Sequence, residues 1–171
     1  MDISVIIPAY NEEKRIAFTL QKSIEFLQQR PWQYELIPVD DGSQDATVAQ
    51  IAEVACDYSQ VRCVLNGKNR GKGYSIRHGL GEAKGQFIGF MDADYKTDIT
   101  ALDHAMELLG NGACGVIGDR TLGGSEIARV QKRYREIGSN AFRRGLQMLM
   151  GLRGYDDTQC GFKFFRAEVM R

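Results

Sequence analysis

Cysteines are few and never paired: Cys56, Cys63, Cys114 and Cys160 lie far apart and form no C-x-x-C. The two histidines, His78 and His104, are equally isolated. Neither a zinc site nor a disulfide framework is therefore supported, and the thiols read as buried or incidental ones in a reducing compartment. No run approaches the ~18 apolar residues that cross a bilayer. A signal peptide is missing as well, because Met1-Asp2-Ile3-Ser4 places an acid where a base is required and Pro8 breaks the apolar run. Internal repeats, low-complexity stretches and linkers are absent too. With 43% apolar and 26% charged residues, the composition excludes a disordered tail, a collagen-like repeat and a coiled coil. The expectation is a cytosolic protein.

The 171 residues suit one domain (1–171), which at this length buries roughly 70% of its unfolded surface. Net charge is zero, but the signs are segregated. Residues 1–118 carry 11 bases and 16 acids, and residues 119–171 carry 11 bases and 6 acids. Such asymmetry points to an anionic partner for the second half, or to a basic helix face in solvent.

Short apolar runs alternate with helical periodicity, which predicts an α/β protein with a largely parallel sheet. Strands are expected at Ile3–Ile7, Glu35–Val39, Val61–Leu65, Phe87–Met91, Cys114–Ile117 and Phe162–Phe165. Ile16, Leu20, Ile24 and Leu27 recur at helical spacing and predict a helix over Glu12–Gln29. Further helices are expected from the Asp40-Asp41-Gly42-Ser43 turn to about Tyr58, over Ser75–Ala83 and over Thr100–Leu109, and a long basic one over Ile127–Met150.

Ligands of open α/β sheets bind at the carboxyl ends of the strands, and the polar residues are there. Pro8-Ala9-Tyr10-Asn11-Glu12, Asp40-Asp41-Gly42-Ser43 and Asp92-Ala93-Asp94 each follow an expected strand. Taken singly, Asn11 could cap the first helix and Ser43 or Asp45 the second. Together at one sheet edge they indicate a site. Asp92 and Asp94, spaced i and i+2 at a strand end, are expected to point the same way and to repel unless a cation lies between them. One or two carboxylates plus substrate phosphates is the usual shell of Mg²⁺ or Mn²⁺. The segment after the first strand lacks G-x-G-x-x-G, and the loop from Gly67 lacks the P-loop spacing. A dehydrogenase and a P-loop NTPase are thereby disfavoured. An aspartyl phosphatase stays open in principle, with nothing else in the chain to support it.

In order, V-I-I-P-A-Y-N-E-E (5–13), V-D-D-G-S (39–43), N-R-G-K-G (69–73), D-A-D (92–94) and D-T-Q-C-G-F-K-F-F (157–165) resemble the family 2 glycosyltransferases of GT-A fold over nearly the whole chain. The last string is similar to the dolichyl-phosphate glucosyltransferase and mannose synthase branch. The resemblance implies a Rossmann-like, mostly parallel sheet flanked by helices, with residues 1–118 as nucleotide-sugar half and 119–171 as acceptor half. It implies inverting transfer of a hexose, UDP-glucose favoured as donor, to a polyprenyl (dolichyl-type) phosphate, with Mg²⁺ or Mn²⁺ and no nucleic-acid partner. Pro8, Tyr10 and Glu12 match positions holding base and ribose, Asp40 the base-recognising carboxylate, and Lys72 and Asp92 the nucleotide lining. Asp94, with Asp92, matches the metal site. Arg120 and Arg133 match cations near donor and acceptor phosphates, and Asp157 the acid at the reaction centre.

The resemblance also implies peripheral association with the cytoplasmic face of a membrane, where Arg129, Lys132, Arg133, Arg135, Arg143 and Arg144 supply ~1 kcal/mol each against anionic lipid. Two departures stand out. Lys96 occupies the place of a metal-binding glutamine in mannose synthases, which tilts the donor towards UDP-glucose. Family members also continue well beyond Arg171, so a truncated piece or an unusually short member with an incomplete acceptor site is expected. The alternatives are transfer to a sugar or protein hydroxyl and a catalytically incomplete nucleotide-sugar-binding module.

Overall fold

The computed structural model describes residues 1–118 and 160–170. The chain divides into two compact units, Met1–Val116 with Gly161–Arg171, and Ile117–Cys160, and nearly all described residues belong to the first. Asp119–Gln159, and with them the expected basic helix over Ile127–Met150, lie outside the described residues.

Strand β1 (Ile3–Ala9) is the axis of the sheet. Its β-branched residues Ile3, Val5, Ile6 and Ile7 are each fully buried, as expected for a strand covered on both faces. On one side it pairs in parallel with β2 (Tyr34–Asp40), running from Ile3 opposite Tyr34 to Ala9 opposite Asp40. On the other it pairs in parallel with β4 (Phe87–Phe90), from Ile3 opposite Phe87 to Ile6 opposite Phe90. Strand β3 (Val64–Leu65) flanks β2, and β6 (Lys163–Arg166) runs antiparallel to β4. With β5 (Gly115–Ile117) the order is β3-β2-β1-β4-β6-β5.

Helices α1 (Ile16–Leu27), α2 (Thr47–Asp57), α3 (Lys72–Glu82), α4 (Ala101–Gly110) and the short α5 (Ala167–Met170) complete the described unit. One core cluster joins Ile6, Ile37, Val39, Val64 and Ile88 of the sheet to Ala83 and Ala167, with Leu80 packed against it. Each large aliphatic chain buried in this way contributes about 1.5–3 kcal/mol. At the amino end of the strands the carboxylate of Glu35, 6% exposed, accepts from Ser4 Oγ (2.6 Å) and from Lys84 N–H (2.8 Å). That bond pins the turn between α3 and β4.

The periodicity located every described element except the short α5; α3 begins at Lys72 rather than Ser75, and two further shifts are informative. The first helix begins at Ile16 rather than Glu12, because residues 10–15 form a loop whose N–H groups bond to Ser43, Asp45 and Thr47 beyond β2. The expected third strand is reduced to Val64–Leu65 plus an isolated bridge from Val61 to Leu36.

Phe164 is fully buried opposite Gly89, which has no side chain to obstruct the ring, and its centroid lies 4.8 Å from that of Phe162. Phe164→Ala is expected to cost about 3–5 kcal/mol in urea unfolding. A loss below ~1 kcal/mol would show that β6 is not part of the cooperative core.

Candidate functional site

Because β2 lies to one side of β1 and β4 to the other, the strand order reverses at β1. A crevice opens beyond the carboxyl ends at such a point. Pro8, Ala9, Tyr10 and Glu12 from β1 and its loop, Asp41 after β2, Lys72 and Ser75 of α3, and Asp92, Ala93 and Asp94 after β4 line one pocket there. Of the expected site residues within the described part, Pro8, Tyr10, Glu12, Lys72, Asp92 and Asp94 are brought together. Arg120, Arg133 and Asp157 lie outside the described residues.

Asp40 is placed differently from the other expected residues. Its carboxylate, 4% exposed, accepts from the backbone N–H groups of Gly42 (3.0 Å) and Ser43 (3.2 Å), closing its own turn. Its neighbour Asp41 is the residue that lines the pocket.

The loops after β1 and β2 are bonded to each other, and Asp45 also accepts from the N–H of Thr47, the first residue of α2, at 3.0 Å. Asn11, with φ +53°, accepts from Gln44 N–H at 2.9 Å, and its own N–H donates to Ser43 Oγ at 2.9 Å. Glu12 N–H donates to Thr47 Oγ1 at 2.7 Å. Of the expected helix caps, Asp45 holds the first N–H of α2, whereas Asn11 and Ser43 serve the site edge.

Asp92 and Asp94 share the pocket, but not through strand periodicity. Strand β4 ends at Phe90, and both acids lie in the turn that follows. That turn is anchored on α1 by the buried Thr19, whose Oγ1 donates to the carbonyl of Ala93 at 2.7 Å. Gly161 packs against the other side: a Cβ there would overlap the Asp92 carboxylate. Each acid has a lysine partner, Lys72 Nζ on Asp92 and Lys96 Nζ on Asp94. Glu12 is paired with Arg15 at 2.6 Å.

Among the described residues no group of three or more His, Cys, Asp or Glu side chains converges as a metal cage. The two carboxylates fit a hard divalent ion whose remaining ligands come from a diphosphate. They already attract cations, the ammonium groups of Lys72 and Lys96. Asp41 and Gly161 stand inside motifs the sequence displays, but without a role of their own there, and Thr19 and Ser75 stand in none. Asp41 is legible as an acid beside another acid at a strand end. Thr19 is not, since nothing in a helical threonine foretells a bond to residue 93.

The fold resembles that of GT-A nucleotide-sugar transferases. A crystal structure of glucosyl-3-phosphoglycerate synthase from Mycobacterium tuberculosis, in complex with Mn²⁺, UDP and phosphoglyceric acid, superposes with a TM-score of 0.70 at 23% identity, over 98% of this chain and 56% of that one. The sequence pattern of glycosyl transferase family 2 matches residues 4–171, and the chain belongs to that family. It is 36% identical over 190 residues to the Drosophila melanogaster protein named dolichyl-phosphate beta-glucosyltransferase, covering 100% of this chain and 56% of that one. It is 35% identical over 182 residues to dolichyl-phosphate beta-glucosyltransferase ALG5D of Trichomonas vaginalis, covering 99% of this chain and 54% of that one. The chain thus spans little more than half the length of these relatives. Among the described residues, no helix is long and apolar enough to cross a membrane.

Burial pushes the Asp41 carboxyl up, but hydrogen bonds from Asn66, the N–H groups of Arg70 and Gly71, and Ser75 outweigh it and hold it below its ordinary 3.8. A carboxyl depressed on folding favours the native state fully above its unfolded value, and the contribution is lost as pH falls through the lower folded value. Asp41→Asn is therefore expected to be less stable than wild type at neutral pH, with the gap closing below pH 3.8. Thermal unfolding of both proteins between neutral and strongly acid pH checks this. A gap independent of pH would contradict it.

Proposed function

We propose that the chain carries the donor site of an inverting glycosyltransferase that moves glucose from UDP-glucose to a polyprenyl phosphate of dolichyl type. The observation that carries this reading is the convergence of Tyr10, Glu12, Asp41, Lys72, Asp92 and Asp94 on one pocket at the strand-order reversal. The names of the relatives given above supply the substrate class.

In this reading Pro8, Tyr10 and Glu12 hold base and ribose, and the base-recognising carboxylate stands at the end of β2, expected at Asp40 with Asp41 beside it facing the pocket. Asp92 and Asp94 hold Mg²⁺ or Mn²⁺, which when bound offsets negative charge on the diphosphate. Lys72 contributes a cation from the protein itself, and Arg120 a second at the leaving β-phosphate. A lipid phosphate is already ionised near neutral pH and needs orientation rather than a base. Arg133 orients it, and Asp157 completes the reaction centre. The basic residues between Arg129 and Arg144 hold the protein at the cytoplasmic face of a membrane.

Asp94→Asn is expected to weaken UDP affinity in Mn²⁺ roughly tenfold or more while changing little in EDTA, since a charged hydrogen-bond or metal partner is worth about 1.5–3 kcal/mol. Calorimetric titration of both proteins decides it, and equal affinities in Mn²⁺ would remove the metal assignment.

Radiolabelled glucose from UDP-glucose is expected to appear in an organic-extractable product with polyprenyl phosphate, and not with the dephosphorylated polyprenol. Arg133→Ala should cut that transfer by tens- to thousands-fold, about 2–5 kcal/mol for a cation removed from a desolvated phosphate, while leaving UDP binding intact. Efficient glycosylation of the free alcohol would refute the mechanism.

A further inference from the structure

The turn that delivers Lys72 to the pocket is held from outside itself. Gly67, Lys68, Asn69 and Arg70 are all exposed, and no core side chain comes from this stretch. Its anchor is Asp41, 3% exposed at the end of the neighbouring β2. Oδ1 of Asp41 accepts from Arg70 N–H at 2.9 Å, and Oδ2 accepts from Gly71 N–H at 2.7 Å. Gly71 then turns the chain at φ +87°, a conformation that favours glycine, and Lys72 begins α3 with its ammonium on Asp92. The reach of Lys72 into the pocket thus depends on where the Asp41 carboxylate points.

That direction is set by Asn66, which does not line the pocket. Its Nδ2 donates to Asp41 Oδ1 at 2.7 Å and to Ser75 Oγ at 2.9 Å. Its Oδ1 lies 2.7 Å from His78 Nδ1, and its backbone N–H donates to the carbonyl of Asp40 at 2.9 Å. The amide is therefore held at both ends. The reversed orientation would set its oxygen against the carboxylate and its NH₂ against the imidazole Nδ1, so the polarity of the arrangement fixes one rotamer. Beyond it, the Arg70 guanidinium lies 4.7 Å from the Tyr74 ring centroid, and the Tyr74 and His78 rings are 6.1 Å apart. One side chain thus ties β2, the end of β3 and α3 together behind the pocket wall.

We propose that Asn66 is a positioning residue for the donor diphosphate: by orienting Asp41 it sets the turn at Arg70–Gly71 and so the place of Lys72. The inference rests on reading the pocket as a nucleoside-diphosphate site. It predicts energetic coupling between Asn66 and Lys72, whose side-chain hydrogen bonds go to different partners.

The test is a double-mutant cycle on UDP affinity, by calorimetry, over wild type, Asn66→Ala, Lys72→Ala and the pair. In the wild-type background Lys72→Ala should weaken UDP roughly tenfold, the scale of a charge-assisted bond to phosphate. In the Asn66→Ala background the same change should weaken it less than about threefold, since the ammonium is already misplaced. A second measurement needs no ligand: amide hydrogen exchange at Arg70 and Gly71 should quicken roughly tenfold or more in Asn66→Ala, with the β1 amides unchanged. If Asn66→Ala does not fold, His78→Leu, which removes the donor to Oδ1, should give the same pattern at smaller size. Additive effects of Asn66→Ala and Lys72→Ala, or unchanged exchange at Arg70 and Gly71, would overturn the inference. A wild-type chain that does not bind UDP would overturn the donor reading and the inference with it. That result is distinct from additivity, and the exchange measurement still reports on the turn.

Discussion

Burial of β1 between two parallel neighbours is the constraint on which the pocket depends. A strand with Ile3, Val5, Ile6 and Ile7 all inaccessible to solvent has no exposed face, so its polar successors can only emerge at its carboxyl end. The same holds for β2, where all seven residues are buried. Parallel pairing then brings Tyr10, Asp41 and Asp92 to a single edge, because every strand contributing to it runs the same way. The reversal of strand order at β1 keeps the loops after β2 and β4 apart, so that edge is a crevice rather than a packed surface.

Four carboxylates in one small pocket would repel strongly if left alone. They are compensated by three different devices. Glu12 has the guanidinium of Arg15, Asp41 has backbone and amide N–H groups, and Asp92 and Asp94 have lysine ammonium groups. The devices differ in how readily they can be exchanged. Asp41 is held by backbone that cannot leave, whereas Lys72 and Lys96 are long chains with half or more of their surface in solvent, free to swing away. An incoming diphosphate and divalent ion can therefore rearrange the Asp92 and Asp94 pairs without disturbing the Asp41 scaffold. Rigid and replaceable charge thus line the same pocket.

The sequence made the sheet and the site edge legible because both rest on local signals: β-branched runs for the strands, helical periodicity for α1, and acid-rich turns where strands stop. It was less informative where a residue's role depends on a distant partner. Asp40 and Asp41 are adjacent acids with the same strand before them, and only the fold reveals that one closes its own turn while the other is bonded across to residues 66, 70 and 71. The i, i+2 spacing of Asp92 and Asp94 suggested a strand end, whereas the two acids share the pocket through a turn fastened by Thr19. Asn66 gave no signal, being one more asparagine in a polar loop.

Gly161 gives a physical sense to the late D-T-Q-C-G-F-K string that composition could not. Strand β6 runs antiparallel beside β4, so the residues that lead into β6 return to the end of β4 from which the D-A-D turn departs. At that meeting point the Asp92 carboxylate occupies the space a side chain at residue 161 would fill. Any larger residue there would displace the Asp92 carboxylate. The two halves of the motif set, some seventy residues apart, are thus one piece of packing: the turn supplies the acid, and the last strand supplies the gap that lets it stand at the pocket wall. Substitution at 161 would be felt first in the charge arrangement and only secondarily in stability, because the neighbouring Phe162 and Phe164 hold β6 in the core on their own.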